Sequence, residues 1–287
     1  MYIHSASAFI GPENTDVKFL KEALRGYTEE YFRRINRFIL LTLLGARQCI
    51  HHHALPADTA VYLTTEHGNL GETAKVLDEI YTDRSLPKPF GFINTMSNTA
   101  AFYLARNLGV RGRNIMVSSQ HLSFERGLEL LQVDFAIGAA RNALIGGVDE
   151  ALLSRTALEE QTDRTLQMVN GSGWLYVKHE KDGACGIISE IKSFSDGPSC
   201  IKWITDRRMS TIDVVSFGAL INPDEASSVK EILHTADEFD YLHNYGYSGS
   251  ATACGVSLFI KLFHGKTLLH INRDQRGHFA VIEVERY

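Results

Sequence analysis

The sequence predicts a layered α/β fold, and three observations carry that prediction. Strand-like and helix-like segments follow one another as βαβαβ, and the pattern then runs a second time with hairpins between. With 287 residues, 44% hydrophobic and 22% charged, the chain is long enough to bury a large core. No low-complexity linker interrupts it, so two halves, 1–168 and 169–287, are expected to share one compact unit.

The first eleven residues, Met1 to Gly11, lack a basic start, a long apolar run and a cleavage site, so they read as a first strand and not as a signal peptide. From Glu29 to Cys49, Phe32, Ile35, Phe38, Ile39, Leu41, Leu43 and Leu44 recur opposite Arg33, Arg34 and Arg37, which predicts a helix with one buried face. Its most apolar run, Phe38 to Ala46, is shorter than the roughly 20 residues a bilayer requires, so no membrane span is expected. Thr59–Thr65 reads as a strand, and Glu66–Gly71 as the turn into another helix. A further helix starts at Asn98, a turn follows at Leu108–Gly112, and a polar step at Ser118–Ser123 precedes the glycine-containing apolar run Ala143–Ala151.

The second set begins at Gly171–Val177, expected to pair with Gly186–Phe194 as a hairpin across the charged turn His179–Gly183. Strand Ile212–Val215, helix Asp224–His234, a glycine-rich turn into a helix from about 250 to 263, and strands Lys266–His270 and Phe279–Val284 complete the pattern.

Composition excludes several functions. Lys plus Arg (29) against Asp plus Glu (34) gives a net charge of −5, which suggests no nucleic-acid surface. Cys49, Cys185, Cys200 and Cys254 form no C-x-x-C pair, so neither a zinc site nor a redox couple is implied, and reduced, buried thiols of a cytoplasmic protein fit best. His51, His52 and His53 are successive residues expected on a helix, where they point in different directions and do not converge on one metal ion. The glycines from Gly246 to Gly255 are followed by no Gly-Lys-Ser/Thr, so they make no phosphate loop.

The stretch Asn98–Ala151, with its Arg111-Gly112 turn, the step Ser118-Ser-Gln-His-Leu-Ser123 and the pair Gly146-Gly147, resembles the core of the β-ketoacyl synthase branch of the thiolase-like superfamily. Arg33-Arg-Ile-Asn-Arg-Phe38 is similar to a helix motif of the same enzymes. The resemblance implies a thiolase-like αβαβα layered fold of two related halves, with the capping insertions trimmed because the chain is shorter than a full synthase. In that family a tight turn presents a cysteine thiolate at the N-terminus of a buried helix. Counting forward from Arg111-Gly112 or backward from Gly146-Gly147 places the nucleophile at His121. Condensation needs a soft nucleophile that holds an acyl chain as a thioester, and an acyl-imidazole hydrolyses readily. The first family histidine falls at Phe217 or Gly218, within Ser216-Phe-Gly-Ala-Leu220, and the second at Tyr247, with His243 four residues earlier. Asp274–Phe279 occupies the place of the family's glycine-rich gating loop and keeps only Gly277.

With all three catalytic positions changed, the chain resembles the short chain-length factors of type II polyene and polyketide synthases. That resemblance implies a non-catalytic cytoplasmic subunit, without a cofactor, which pairs as a heterodimer with a cysteine-bearing ketosynthase and shapes its acyl tunnel. An acyl carrier protein would be a transient third party. Such factors carry a glutamine at the nucleophile position, and Gln120 lies one residue from it. Pro89–Met96 is similar to the segment that crosses the dimer interface, which makes Phe90, Phe92 and Met96 candidates for closing the partner's channel; plain core packing is the other reading. His67 maps to the gatekeeper at the tunnel's depth, or is an exposed loop histidine. Ser118, Ser119 and Gln120 are expected at a buried elbow, where they need hydrogen-bond partners. Two rival functions stand beside this one. The first is a divergent acyltransferase or thioesterase using His121 as a general base with Ser119 or Glu125, and the second is a homodimeric acyl-thioester-binding protein.

Overall fold

A computed structural model describes residues 1–152, 165–207, 212–234 and 236–287. β1 (Tyr2–Pro12) is followed by α1 (Val17–Leu24), α2 (Arg37–Cys49), β2 (Ala60–Thr64), α3 (Leu70–Tyr81), α4 (Pro89–Thr95), α5 (Asn98–Leu108), β3 (Asn114–Val117), α6 (Ser123–Ala136), β4 (Asn142–Asp149) and β5 (Val169–Lys178). Then come β6 (Gly186–Phe194), α7 (Gly197–Asp206), β7 (Val214–Phe217), α8 (Pro223–Ile232), β8 (Asp237–Glu238), α9 (Tyr241–Tyr245), α10 (Ala251–Leu262), β9 (Lys266–Arg273) and β10 (Phe279–Arg286).

The strands form one sheet in the order β3-β2-β4-β5-β1-β6-β10-β9-β7-β8. Read outward from its centre, 1-5-4-2-3 on one side and 6-10-9-7-8 on the other are the same arrangement. Each side has a parallel trio, β3-β2-β4 or β8-β7-β9, beside antiparallel strands. The two sides join only where Tyr2 and Ile3 pair with Ile187 and Gly186. From that seam the half-sheets diverge, with α6 and α10 packed between them, while α1, α2 and α5 cover the outer face of one half and α7 and α8 that of the other. The result is five alternating layers of helix and sheet.

Residue chemistry accounts for the burial. β2 and β4 are buried along their whole length, as strands of a parallel trio covered by helices on both faces must be. α10, with Ala251 through Ile260 all buried, lies in the middle layer. Gly146 is obligatory in β4, because a Cβ there would come within 2.1 Å of the Trp174 ring. At the Arg111-Gly112 turn a Cβ on Gly112 would meet the Asp58 carbonyl at 2.2 Å.

Two expectations need correction. The helix begins at Arg37, not Glu29, because the Asn36 side chain accepts the Ile39 amide and caps it there; Phe32 and Ile35 are buried from the preceding irregular segment. β5 and β6 are not a hairpin, since β1 pairs with β5 over its length and lies between them. The charged turn at 179–183 is a local signal, and the long-range pairing of the first strand overrides it.

Candidate functional site

The site lies where β2, β3 and β4 end, beside the N-termini of the two central helices. Asp149, fully buried at the end of β4, organises the neighbouring end of β2. Its carboxylate accepts from the Thr65 hydroxyl (2.8 Å) and from the backbone amides of Glu66 (3.0 Å) and His67 (2.9 Å). This turns the Glu66 side chain toward the elbow between β3 and α6. At that elbow Gln120 takes a left-handed φ of +51°, a conformation uncommon outside glycine that is held where surrounding structure fixes it. Ser123 closes the turn, its hydroxyl accepting from the Ser119 amide (2.8 Å) and donating to the Gln120 carbonyl (2.6 Å).

His121 points inward from this elbow, its side chain 6% exposed. Nδ1 lies 3.2 Å from Oε1 of Glu66 and 3.3 Å from the Tyr247 hydroxyl, which itself donates to Oε2 of Glu66 at 3.1 Å. Tyr247 is fixed by its backbone, which exchanges hydrogen bonds with Gln167 and Val169, after a left-handed Gly246 (φ +89°). Behind them Asn272 donates to the His121 carbonyl, to Oε1 of Glu125 (both 2.8 Å) and to the Thr252 hydroxyl (3.1 Å). His270, also fully buried, bridges Ser216 (2.9 Å) and Thr252 (3.3 Å).

Burial dominates the electrostatics. It pushes Glu66 up to about 7, and it pushes His121 down to about 4 with the help of nearby His67. The two are in contact, and for each the loss of water is the largest effect, so near neutral pH His121 is uncharged. Burial also works against a charged His67, but Asp149 and Glu66 outweigh it and raise that imidazole. Glu125 is raised by burial to about 7 and one of its oxygens has no partner among the described residues. The thiols are the opposite of activated: burial pushes Cys49, Cys200 and Cys254 up to about 12 and raises Cys185 as well.

Glu66, His121, Tyr247, Gly218, Thr252 and Asn272 enclose a cavity of about 10 Å³, space for about one water molecule. No acyl group fits there. The structure thus brings together three of the positions the sequence singled out, His121, Tyr247 and Gly218. Gly218 has no room for any side chain, because a Cβ would lie 1.8 Å from Oδ1 of Asn272. Phe217 points away, into the cluster under α7 and α8. His243 is exposed on α9.

Other expected positions lie elsewhere. Ser118, Ser119 and Gln120 are exposed, which corrects the expectation that these three sit at a buried elbow; the step turns inward from His121 on, with Leu122 and Ser123 buried behind it. Neither Ser119 nor Glu125 reaches the His121 ring, whose partners are Glu66 and Tyr247. His67 is next to the site, with Nδ1 3.7 Å from Asp149. Phe90, Phe92 and Met96 are about half exposed on and just after α4, so core packing does not account for them. Asp274–Phe279 is a tight turn in which Asp274 accepts from the Arg276 and His278 amides and the His278 ring. His51 and His53 pack against Tyr27 and Tyr176 respectively. Among the described residues no group of side chains is arranged to hold a metal ion, and no helix is long and apolar enough to cross a membrane.

Sequence reasoning missed Glu66, Asn272, Asp149 and His270. Glu66 had one available signal: an acidic residue just past the end of a buried parallel strand, where α/β folds collect functional groups.

No protein-family model and no curated protein matches the sequence. Solved structures do. The ishigamide ketosynthase/chain length factor superposes with a TM-score of 0.72 at 14% identity, over 99% of this chain and 99% of the other. A chain from the complex of a type II polyketide acyl-carrier protein with its ketosynthase bound to the hexaketide gives 0.72 at 12% identity, over 100% and 99%. The ketosynthase from module 6 of the bacillaene synthase of Bacillus subtilis 168 gives 0.72 at 14% identity, covering 100% of this chain and 72% of that one. The chain therefore has the thiolase-like fold of ketosynthases and chain-length factors.

Proposed function

We propose that the protein is a non-catalytic ketosynthase-like subunit, a chain-length factor, which pairs with an active ketosynthase and shapes its acyl tunnel in type II polyene or polyketide assembly. The observation that carries this reading is the filled pocket: Tyr247, Glu66 and His121 occupy the place where a thioester would form and leave about 10 Å³. A soft nucleophile is missing there as well, since none of the four cysteines lines the cavity and burial raises the thiols of Cys49, Cys185, Cys200 and Cys254.

The surface supports a pairing role. Leu77, Ile80, Tyr81, Leu86, Phe92 and Ile93 lie exposed along α3, α4 and the segment between them, Leu86 at 93%. Clustered apolar surface of this kind marks interaction sites, and permanent complexes bury the most. Phe90, Phe92 and Met96 belong to that face and are our candidates for reaching the partner's channel, with His67 as its gate. A transient acyl carrier protein would dock mainly on the active subunit.

The test is reconstitution with a cysteine-bearing ketosynthase, acyl and malonyl carrier proteins. We expect no product from this chain alone, product from the pair, and unchanged turnover with His121→Ala. Phe92→Asp with Ile80→Asp should abolish co-purification with the synthase while leaving the fold intact by circular dichroism. Turnover by the isolated chain that vanishes in His121→Ala would instead establish an acyltransferase or thioesterase.

A further inference from the structure

β1 has an open side. Its ladder to β5 runs from Tyr2 to Pro12, but pairing to β6 stops at Ile3, where the half-sheets diverge. In an antiparallel strand every second residue turns its N–H and C=O away from its neighbour, so the far edge of Ser5–Ile10 presents backbone donors and acceptors that pair with no strand among the described residues. Burial records the gap: β5 is buried from Val169 to Val177, whereas Ser5, Ala6, Ala8, Phe9 and Ile10 are only partly covered. A groove of about 550 Å³ runs along this edge, walled by Tyr27, Gln48, His51 and His52 around the end of α2 on one side and by Lys261 of α10 on the other.

We propose that this groove binds an extended acidic segment of a partner polypeptide by adding it as a strand to β1. The backbone edge specifies an extended chain, because only a strand satisfies a row of unpaired N–H and C=O groups. Six residues of β1 offer about 20 Å of it at ~3.3 Å per residue. The walls favour an acidic occupant: the described lining residues include the cation Lys261 and the hydrogen-bonding imidazoles of His51 and His52, and no carboxylate that would repel one. The floor, Ala6, Ala8, Phe9 and Ile10, takes small apolar side chains between the acidic ones. A second copy of this chain is a poor occupant, since its own edge is recessed between the same two walls.

The test uses the full chain and a fluorescein-labelled octapeptide of alternating glutamate and valine. We expect saturable binding by anisotropy, slowed hydrogen exchange at the amides of Ser5–Ile10, and at least a tenfold loss when lysine replaces glutamate in the peptide. N-methylation of alternate peptide residues should abolish binding in one register and spare it in the other. His52→Glu with Lys261→Glu, both exposed, should weaken binding at least tenfold. No binding at millimolar peptide, binding insensitive to both N-methylation registers, or exchange protection of Ser5–Ile10 arising from self-association would each overturn the proposal.

Discussion

Tyr247 donates its hydroxyl hydrogen to Oε2 of Glu66 at 3.1 Å, joining the chain just before the last central helix to the end of β2 across 181 positions of sequence. With His121 on the other carboxyl oxygen, both acceptors of Glu66 are engaged in a site too small for a ligand. A buried carboxyl in that position is costly unless its partners are present. Tyr247→Phe removes one partner without changing packing, so it should lower unfolding stability by about 1–3 kcal/mol. Urea denaturation checks this, and an unchanged midpoint would mean that the hydroxyl is dispensable.

Glu66 also sets a pH dependence that can be isolated. Its carboxyl stands at about 7 in the fold against an ordinary 4.5, so the folded state holds a proton that the unfolded chain releases earlier. That contribution to stability is present below pH 4.5 and is lost as pH rises to about 7. His121 runs the other way: lowered to about 4, it favours the fold above pH 6.5 and opposes it as pH falls. The two slopes oppose each other between pH 4.5 and 6.5. Glu66→Gln removes the first and also weakens the lift on His67, whose loss with rising pH runs in the same direction, so the variant should gain on the parent across pH 4.5–7, by roughly 3 kcal/mol. Parallel stability curves for the two proteins would show that Glu66 does not titrate in this window.

Much of the scaffold was legible because it rests on local pattern: the apolar run of β4 with its glycines, the helix start at Asn98, the turn at Gly112. The counting that put His121 at the elbow and Tyr247 before the last helix depended on those same fixed points, and both side chains do face one cavity. What sequence could not supply was any relation set by long-range pairing. The charged turn at 179–183 looks like a hairpin until β1 takes the place beside β5. Glu66 gave no hint of partnering residues 121 and 247, since the three meet only when β2, the elbow and the chain before α10 converge.

Gly218 lies against Asn272 so closely that the position admits no side chain. An added Cβ would lie 1.8 Å from Oδ1 of Asn272, whose amide nitrogen is committed to the His121 carbonyl, Glu125 and Thr252. Even Gly218→Ala must displace this hub, and overpacking of a tight interior typically costs about 1–3 kcal/mol. Thermal denaturation should show a clear loss for Gly218→Ala, and Gly218→His should fail to give folded protein. Tolerance of either variant would mean that Asn272 moves aside readily.

A thiol placed at position 121 alone should not introduce acyl-transfer chemistry. His121→Cys puts sulfur where Glu66 and Tyr247 already close the space, in surroundings whose burial disfavours a thiolate as it does at Cys254. A thioester needs a deprotonated sulfur and room for a tetrahedral intermediate with its oxyanion donors. With His121 in place the cavity is about 10 Å³, and the space that the smaller cysteine frees lies against Glu66 and Tyr247, which offer neither a cation to hold a thiolate nor an oxyanion site. Incubated with an acyl carrier protein thioester, the variant should show no acyl mass increment, and it should react with iodoacetamide more slowly than free cysteine. Adding Tyr247→Gly enlarges the pocket and removes a partner of Glu66, and the double variant should alkylate faster while still failing to condense. Acyl-enzyme formation by the single variant would mean that the pocket opens on its own, and with that the case for a closed, non-catalytic site would fall.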